Sequence, residues 1–303
     1  MEIFTFYGLL CGLAMLCTLL VAGLWCRLQK VGYGPWIRLC ALGIPLAWVC
    51  SRVFFLLASI FYFTSEIGIP SLMLRFWEGG ASMFGALAGL ALAALLIEKQ
   101  QHLRHGLLLD AVGLGAPVGV IIARLAEAGT EGMGWGDAIL AEWLMPLGVT
   151  ADCWHPVYLY EAVVTGLILL AMILWLVSRK GSVRPGDLFL VFLTLYGCAQ
   201  VVLESLRDDG HMVIRFVHVN QIIAIVLPAI ALTVWTVLYI RKGGKKSRAV
   251  IAWLIMAACI GLGILQEFAV DDSENLFIDY GIMAGAMAVI AVTALTIRRQ
   301  SET

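Results

Sequence analysis

Long apolar runs alternate with short polar connections along the whole chain. Nine such runs stand at about 3–26, 40–63, 80–97, 107–126, 156–178, 187–206, 216–240, 249–268 and 278–297. Several reach the ~20 residues that a helix needs to cross about 30 Å of hydrocarbon. Apolar character is continuous within each run rather than alternating, which predicts helices and not barrel strands. The pattern describes an all-α polytopic membrane protein with about nine transmembrane helices and no soluble domain. Two connections are longer. Residues 64–79 mix Ile67, Leu72, Phe76 and Trp77 with Glu66, Arg75 and Glu78; residues 128–155 carry Trp135, Trp143, Leu144 and Trp154 among glycines and acids. Tryptophan favours the headgroup layer, so both segments read as lying along the membrane surface. For 128–155 an amphipathic connector is the plainer alternative. No internal repeat is evident, which argues against an inverted-repeat transporter.

Composition agrees: 61% hydrophobic and 14% charged residues, with a mean hydropathy of +0.94. Net charge is only −1, so the information lies in where the charges fall. Arg27, Lys30 and Arg38 flank the first connection, Lys99 and Arg104 the third, Arg179, Lys180 and Arg184 the fifth. Arg241, Lys242, Lys245, Lys246 and Arg248 fill the seventh, and Arg298 and Arg299 close the chain. Even connections are acidic: Glu127, Glu131, Asp137, Glu142 and Asp152 in one, Asp271, Asp272 and Glu274 in another. The positive-inside rule then places the N-terminus outside and the C-terminus in the cytoplasm. The opening MEIFTFYGLL lacks a basic n-region and a small-residue cleavage site, so the first helix reads as a retained signal-anchor. The eight cysteines are isolated and form no CxxC, so neither a metal nor a redox cofactor is expected.

All six lysines fit this topology, but five of the fourteen arginines do not. Arg52, Arg75, Arg124, Arg207 and Arg215 lie inside apolar runs or on the acidic side. A charge in the membrane costs at least about 2.5–3.5 kcal/mol and marks a candidate site. A guanidinium grips phosphate or carboxylate through two parallel hydrogen bonds, which makes an anion the expected ligand. Glu204 and Arg207 are three apart and share a helical face with Gln200 and Tyr196. That stripe is either a headgroup pocket or a salt-bridged network that locks helices together. Arg124 ends its run, with Glu127 three residues on; it holds a ligand or snorkels to the interface. In WEGGASMFGALAGL, Gly79 and Gly80 permit a turn and the following helix N-terminus suits an anion. The plainer reading is a glycine-rich cap with close helix packing at Gly85 and Gly89. HPVYLYE, residues 155–161, begins the fifth helix with Pro156 in its first turn and places Tyr158, Tyr160 and Glu161 at its outer end. Its tyrosines also suit interface anchoring. His155, His211 and His218 read as surface or capping residues, and no Ser-His-Asp set appears.

Taken in order, these pieces resemble the prolipoprotein diacylglyceryl transferase family over about residues 3–240. The resemblance is carried by YGLL at Tyr7, SRVFFLL at Arg52, GGASMFGALAG at Gly79, Gly80 and Ser82, the signature arginine at Arg124, the LYE of Tyr160 and Glu161, the sixth-helix YG…E..R of Tyr196, Glu204 and Arg207, and Gln221 at the seventh helix. It implies a seven-helix core over 1–243, with 244–303 adding two further helices and a tail. It also implies a bacterial inner-membrane enzyme, facing the outer leaflet, that moves diacylglyceryl from phosphatidylglycerol to a lipoprotein cysteine thiol or another acceptor. Arg124, Glu204, Arg207, Tyr196 and Glu127 are then expected in catalysis. Tyr7, Arg52, Gly79, Gly80, Ser82, Tyr160, Glu161, Gln200 and Gln221 are expected to bind phospholipid. A lipobox peptide is the second partner and nucleic acid is none. Arg75 and Arg215 have no counterpart and read as interfacial.

Three positions depart from that pattern. Phe84 replaces a histidine, Gln200 an arginine and Glu127 an asparagine, and the NFINGE-type run becomes EAGTE. Neither Phe nor Gln can do the replaced residue's work. Glu127 or Glu131 then becomes the candidate base. The alternative is a phospholipid-binding protein that kept the fold and lost the chemistry, or a paralogue with a different acceptor.

Overall fold

The computed structural model describes residues 6–60, 62–66, 75, 79–131, 133–139, 144–150, 153–181, 183–207, 213–214, 217–270 and 276–302. Arg215, Trp143 and most of the 64–79 segment lie outside them. Among the described residues, nine helices are long and apolar enough to cross a membrane. They are α1 (Phe6–Leu28), α2 (Tyr33–Ala58), α3 (Met83–Gln100), α4 (Leu107–Glu127), α5 (Val157–Ser178), α6 (Asp187–Ser205), α7 (Val219–Arg241), α8 (Lys246–Val270) and α9 (Leu276–Gln300). A two-residue antiparallel pair, Val213–Ile214 with Val217–His218, precedes α7.

Several helix ends differ from the hydropathy reading. Helix α2 begins at Tyr33, not near 40, and ends at Ala58, not 63. Pro35 falls in its first turn, where no N–H is needed, so the helix extends through polar Arg38. Helix α8 likewise begins at Lys246 within the basic connection, and α9 runs to Gln300. Apolar content ends where hydrocarbon ends, whereas helical hydrogen bonding continues into the headgroup layer.

The chain forms two units, residues 1–189 with 207–219, and residues 190–206 with 220–303. In the first, α1 packs on α4, α2 on α3 and α4 on α5. Helix α4 is the centre, with 78% of its apolar stretch buried. Gly85 and Gly89 of α3 lie against the α2 backbone at Cys50–Ser51 and Leu46–Ala47, so a side chain at either would collide with main chain. Two buried acids finish helix ends. Glu98, fully enclosed, accepts from the N–H groups of Gly106 (2.8 Å) and Leu108 (2.6 Å) at the start of α4. Asp110 accepts from Gly186 (2.8 Å) and Phe189 (3.1 Å) at the start of α6. These donors have no intrahelical partner, and each carboxylate also meets the positive end of a helix dipole.

The second unit holds the rest of α6 with α7, α8 and α9, and α8 packs on α9. Leu254 and Leu265 of α8 are 63% and 65% exposed, as an apolar solvent allows. The division between units falls within α6.

Candidate active site

Helix α4 ends in the sequence ARLAE, which puts Arg124 and Glu127 one turn apart on one face. Arg124 Nη1 donates to Glu127 Oε1 at 2.6 Å. Glu161 enters from the second turn of α5, with Oε2 2.5 Å from Arg124 Nε. Arg207 completes the set: its Nη1 lies 2.5 Å from Glu161 Oε1 and its Nη2 3.4 Å from Glu127 Oε2. The four side chains close a ring in which cation and anion alternate. All four are buried, Glu161 completely and Arg124 to 8% exposure.

Arg207 reaches the ring by leaving its helix. Helix α6 ends at Ser205, so Arg207 lies two residues beyond it. Arg207 instead forms a β-bridge to Gly136 of the 128–155 connector. Glu161 and Glu127 orient it. The connector is itself braced by backbone bonds: Gly136 N–H to His155 O (2.9 Å), His155 N–H to Asp137 O (3.0 Å) and Ile139 N–H to Cys153 O (2.8 Å). Gly134, at φ 69°, presses its backbone on the ring. A Cβ there would overlap Glu127 Oε2 and stand 2.9 Å from Tyr158 Cβ. Its signal was present in the sequence as the glycine run GMGWG after Arg124, but nothing singled out this position.

Tyr7, in the first turn of α1, hydrogen-bonds Cys11 and lies in the field of Glu127 and Arg124. Tyr160 shares a 3.1 Å hydrogen bond with His155 Nδ1. Burial pushes the His155 imidazole below its ordinary value of 6.5, against the opposing pull of Asp137. Glu131 is exposed.

The other expected ligands of the first unit stand in a second cluster. Arg52 donates to the carbonyls of Gly79, Gly80 (3.0 Å) and Arg75 (3.2 Å), and stacks 5.4 Å over Phe55. Gly79 and Gly80 take φ of 90° and 83°, so their carbonyls, rather than N–H groups, meet the cation. Ser82 caps α3 by accepting from Gly85 N–H at 3.4 Å, and Ser51 Oγ donates to Ser82 O at 2.8 Å. The helix N-terminus expected to take an anion is thus capped from within. Phe84 is buried beside it.

Within the second unit, Glu204 accepts from Asn220 (3.2 Å), while Gln221 donates to Val201 O (3.3 Å) and to Glu267 of α8 (2.9 Å). Tyr196 stacks on Phe192 at 5.1 Å, and Gln200 is buried. Glu267 lies in α8, beyond the stretch that carries the resemblance.

The family model described as prolipoprotein diacylglyceryl transferase matches residues 3–239. The chain belongs to the prolipoprotein diacylglyceryl transferase family. The match ends before α8, so α8 and α9 lie outside it. Among relatives, a protein of Geobacillus kaustophilus (strain HTA426) is 24% identical over 252 residues, covering 80% of this chain and 90% of its own length. One of Teredinibacter turnerae is 31% identical over 179 residues, 57% of this chain and 58% of its own. One of Bacillus licheniformis is 24% identical over 241 residues, 73% and 83% respectively. All three carry the name phosphatidylglycerol–prolipoprotein diacylglyceryl transferase. As a member of this enzyme family, the chain is a multi-pass membrane transferase.

Proposed function

We propose that this protein moves the diacylglyceryl group of phosphatidylglycerol to a thiol, the lipobox cysteine of a prolipoprotein, at the outer face of the bacterial inner membrane. The glyceryl C–O bond to phosphate breaks and a C–S bond forms. The thiol proton goes to a base, and glycerol phosphate leaves. The observation that carries the reading is the convergence of Arg124 and Arg207 on one buried point from separate stretches of the chain. Fixed guanidiniums stabilise the negative charge that grows on the departing phosphate, and they do so most strongly where water is excluded. Tyr7 borders the pair and Glu127 is the nearest candidate base. The charge pattern of the connections supports the outer-leaflet placement, because the ring lies at the acidic ends of α4 and α5.

The buried Phe84, where a histidine was expected, favours a second reading: a phospholipid-binding member without transfer. Incubation of the purified protein with mass-tagged phosphatidylglycerol and a lipobox peptide separates the two. Transfer predicts a thioether product that Arg124→Ala and Arg207→Ala abolish. Lipid retention without product, beside an active relative, supports the second reading.

A further inference from the structure

The arginine pair already has an occupant. Glu127 divides its carboxylate between both guanidiniums, one oxygen to Arg124 at 2.6 Å and the other to Arg207 at 3.4 Å. Glu161 does the same with two contacts of 2.5 Å. Two cations therefore face two anions, and the ring carries no net charge with which to draw in a phosphate. A phosphodiester added to it is a third anion on two cations. In a site hidden from water, like charges a few ångströms apart repel far more strongly than in bulk solvent. One carboxylate has to yield.

The contacts distinguish the two. Glu161 is fully enclosed, and both its oxygens are held short. Glu127 is the last residue of α4 and its second contact is long. On the connector side its Oε2 meets the bare backbone of Gly134, and toward α1 it borders Tyr7 and Cys11. Its chemistry also matches that of the ligand, because two oxygens on one centre span two guanidiniums just as two phosphate oxygens would.

Resting on the reading above, we propose that Glu127 is an internal stand-in for the substrate phosphate and that phosphatidylglycerol binds by taking its place. Glu127 is then a specificity-determining residue. It holds Arg124 and Arg207 in position when no lipid is bound, and only a lipid that brings its own anion repays its displacement. An uncharged lipid gains nothing from the arginines while Glu127 sits on them.

The test compares the full-length protein with Glu127→Gln and Glu127→Asn in neutral detergent. Each is titrated with phosphatidylglycerol and with uncharged diacylglycerol, reading lipid-dependent thermal stabilisation. Loss of one negative charge leaves the ring cationic. The half-saturating concentration of phosphatidylglycerol is expected to fall about tenfold, equivalent to ~1.4 kcal/mol, with diacylglycerol unchanged. Unchanged or weaker phosphatidylglycerol binding in both variants overturns the proposal, as does an equal gain for diacylglycerol. Should neither variant survive extraction alone, phosphatidylglycerol present throughout is expected to rescue both, and failure to rescue counts against the idea. Arg124→Ala and Arg207→Ala keep the two readings apart. If they leave phosphatidylglycerol binding intact, the phosphate site itself falls. If they abolish it while the Glu127 variants do not tighten, only the stand-in falls.

Discussion

Glu161→Gln changes the ring by one charge and almost no volume. The carboxylate it removes is completely buried and makes two 2.5 Å contacts, to Arg124 Nε and Arg207 Nη1. Taking one partner from a buried ion pair costs about 3–5 kcal/mol, because the other charge stays buried without compensation. Here two guanidiniums lose a partner, and the new amide turns an NH₂ donor toward a group that can only donate. Glu127 alone cannot balance both cations. The loss is therefore expected at the upper end, about 4–5 kcal/mol. Unfolding in mixed micelles of rising denaturing detergent measures it. A double-mutant cycle with Arg207→Gln then isolates the pair, and residues in one salt-bridged network couple by about 0.5–3 kcal/mol. The coupling is expected near the top of that range, so that the double variant is far less destabilised than the sum of the singles. Glu131→Gln, exposed on the following connector, provides the control and is expected within about 0.5 kcal/mol of the parent. A loss below about 1 kcal/mol for Glu161→Gln, or an additive cycle, would refute the closed ring.

Gly134→Ala tests the connector's grip on the same ring. A left-handed φ costs an alanine about 1–2 kcal/mol, and the Cβ collision with Glu127 Oε2 adds about 1–3 kcal/mol of overpacking. Lower thermal stability together with reduced transfer to a lipobox peptide is the expected result; a variant equal to the parent in both contradicts the close approach. Acid should loosen the connector through His155. Its imidazole sits below 6.5 in the folded protein, so the unfolded chain takes up a proton first as pH falls. The stability present above pH 6.5 is then lost as pH drops through the folded-state value. Protection factors for amide exchange at residues 133–139 and 153–155, normalised to the intrinsic rate at each pH, are expected to fall between pH 7.5 and pH 5, and less so in His155→Gln; protection that rises in acid would reverse the sign.

The spans were legible because crossing hydrocarbon imposes a one-dimensional demand: about 20 apolar residues in a row. Their ends were not, as Lys246 in α8 and Tyr33 in α2 illustrate, because the backbone's hydrogen bonding does not register polarity. In the site, Arg124 and Glu127 could be paired by eye, since helical spacing puts i and i+3 together. Glu161 and Arg207 are 46 residues apart, and no local pattern encodes their contact. Arg207 illustrates how a helix end hides in sequence: helical periodicity does not mark Ser205 as the last residue, and pairing with Gly136 redirects the backbone two residues on. Arg52 and the Gly79–Gly80 turn illustrate a different limit. Cation and loop are both legible in sequence, but whether the loop offers N–H groups or carbonyls depends on the backbone angles, which composition does not state.

The departure at Glu127 acquires a direction from the ring. Glu127 stands where the resembling pattern has a neutral amide, so the change lowers the positive charge of the set. Arginines without partners at a membrane-embedded helix end are expensive, and the cost is borne whenever the site is empty. Two carboxylates make the empty site neutral and the pair of guanidiniums tolerable there. The same neutrality weakens any purely electrostatic pull on a phosphate, because binding becomes an exchange of one anion for another. An exchange depends on the difference between two interactions, so it discriminates by fit where a bare cationic pocket would accept any anionic lipid. An Arg124–Arg207 pair with the Glu127 carboxylate across it is what such an exchange requires.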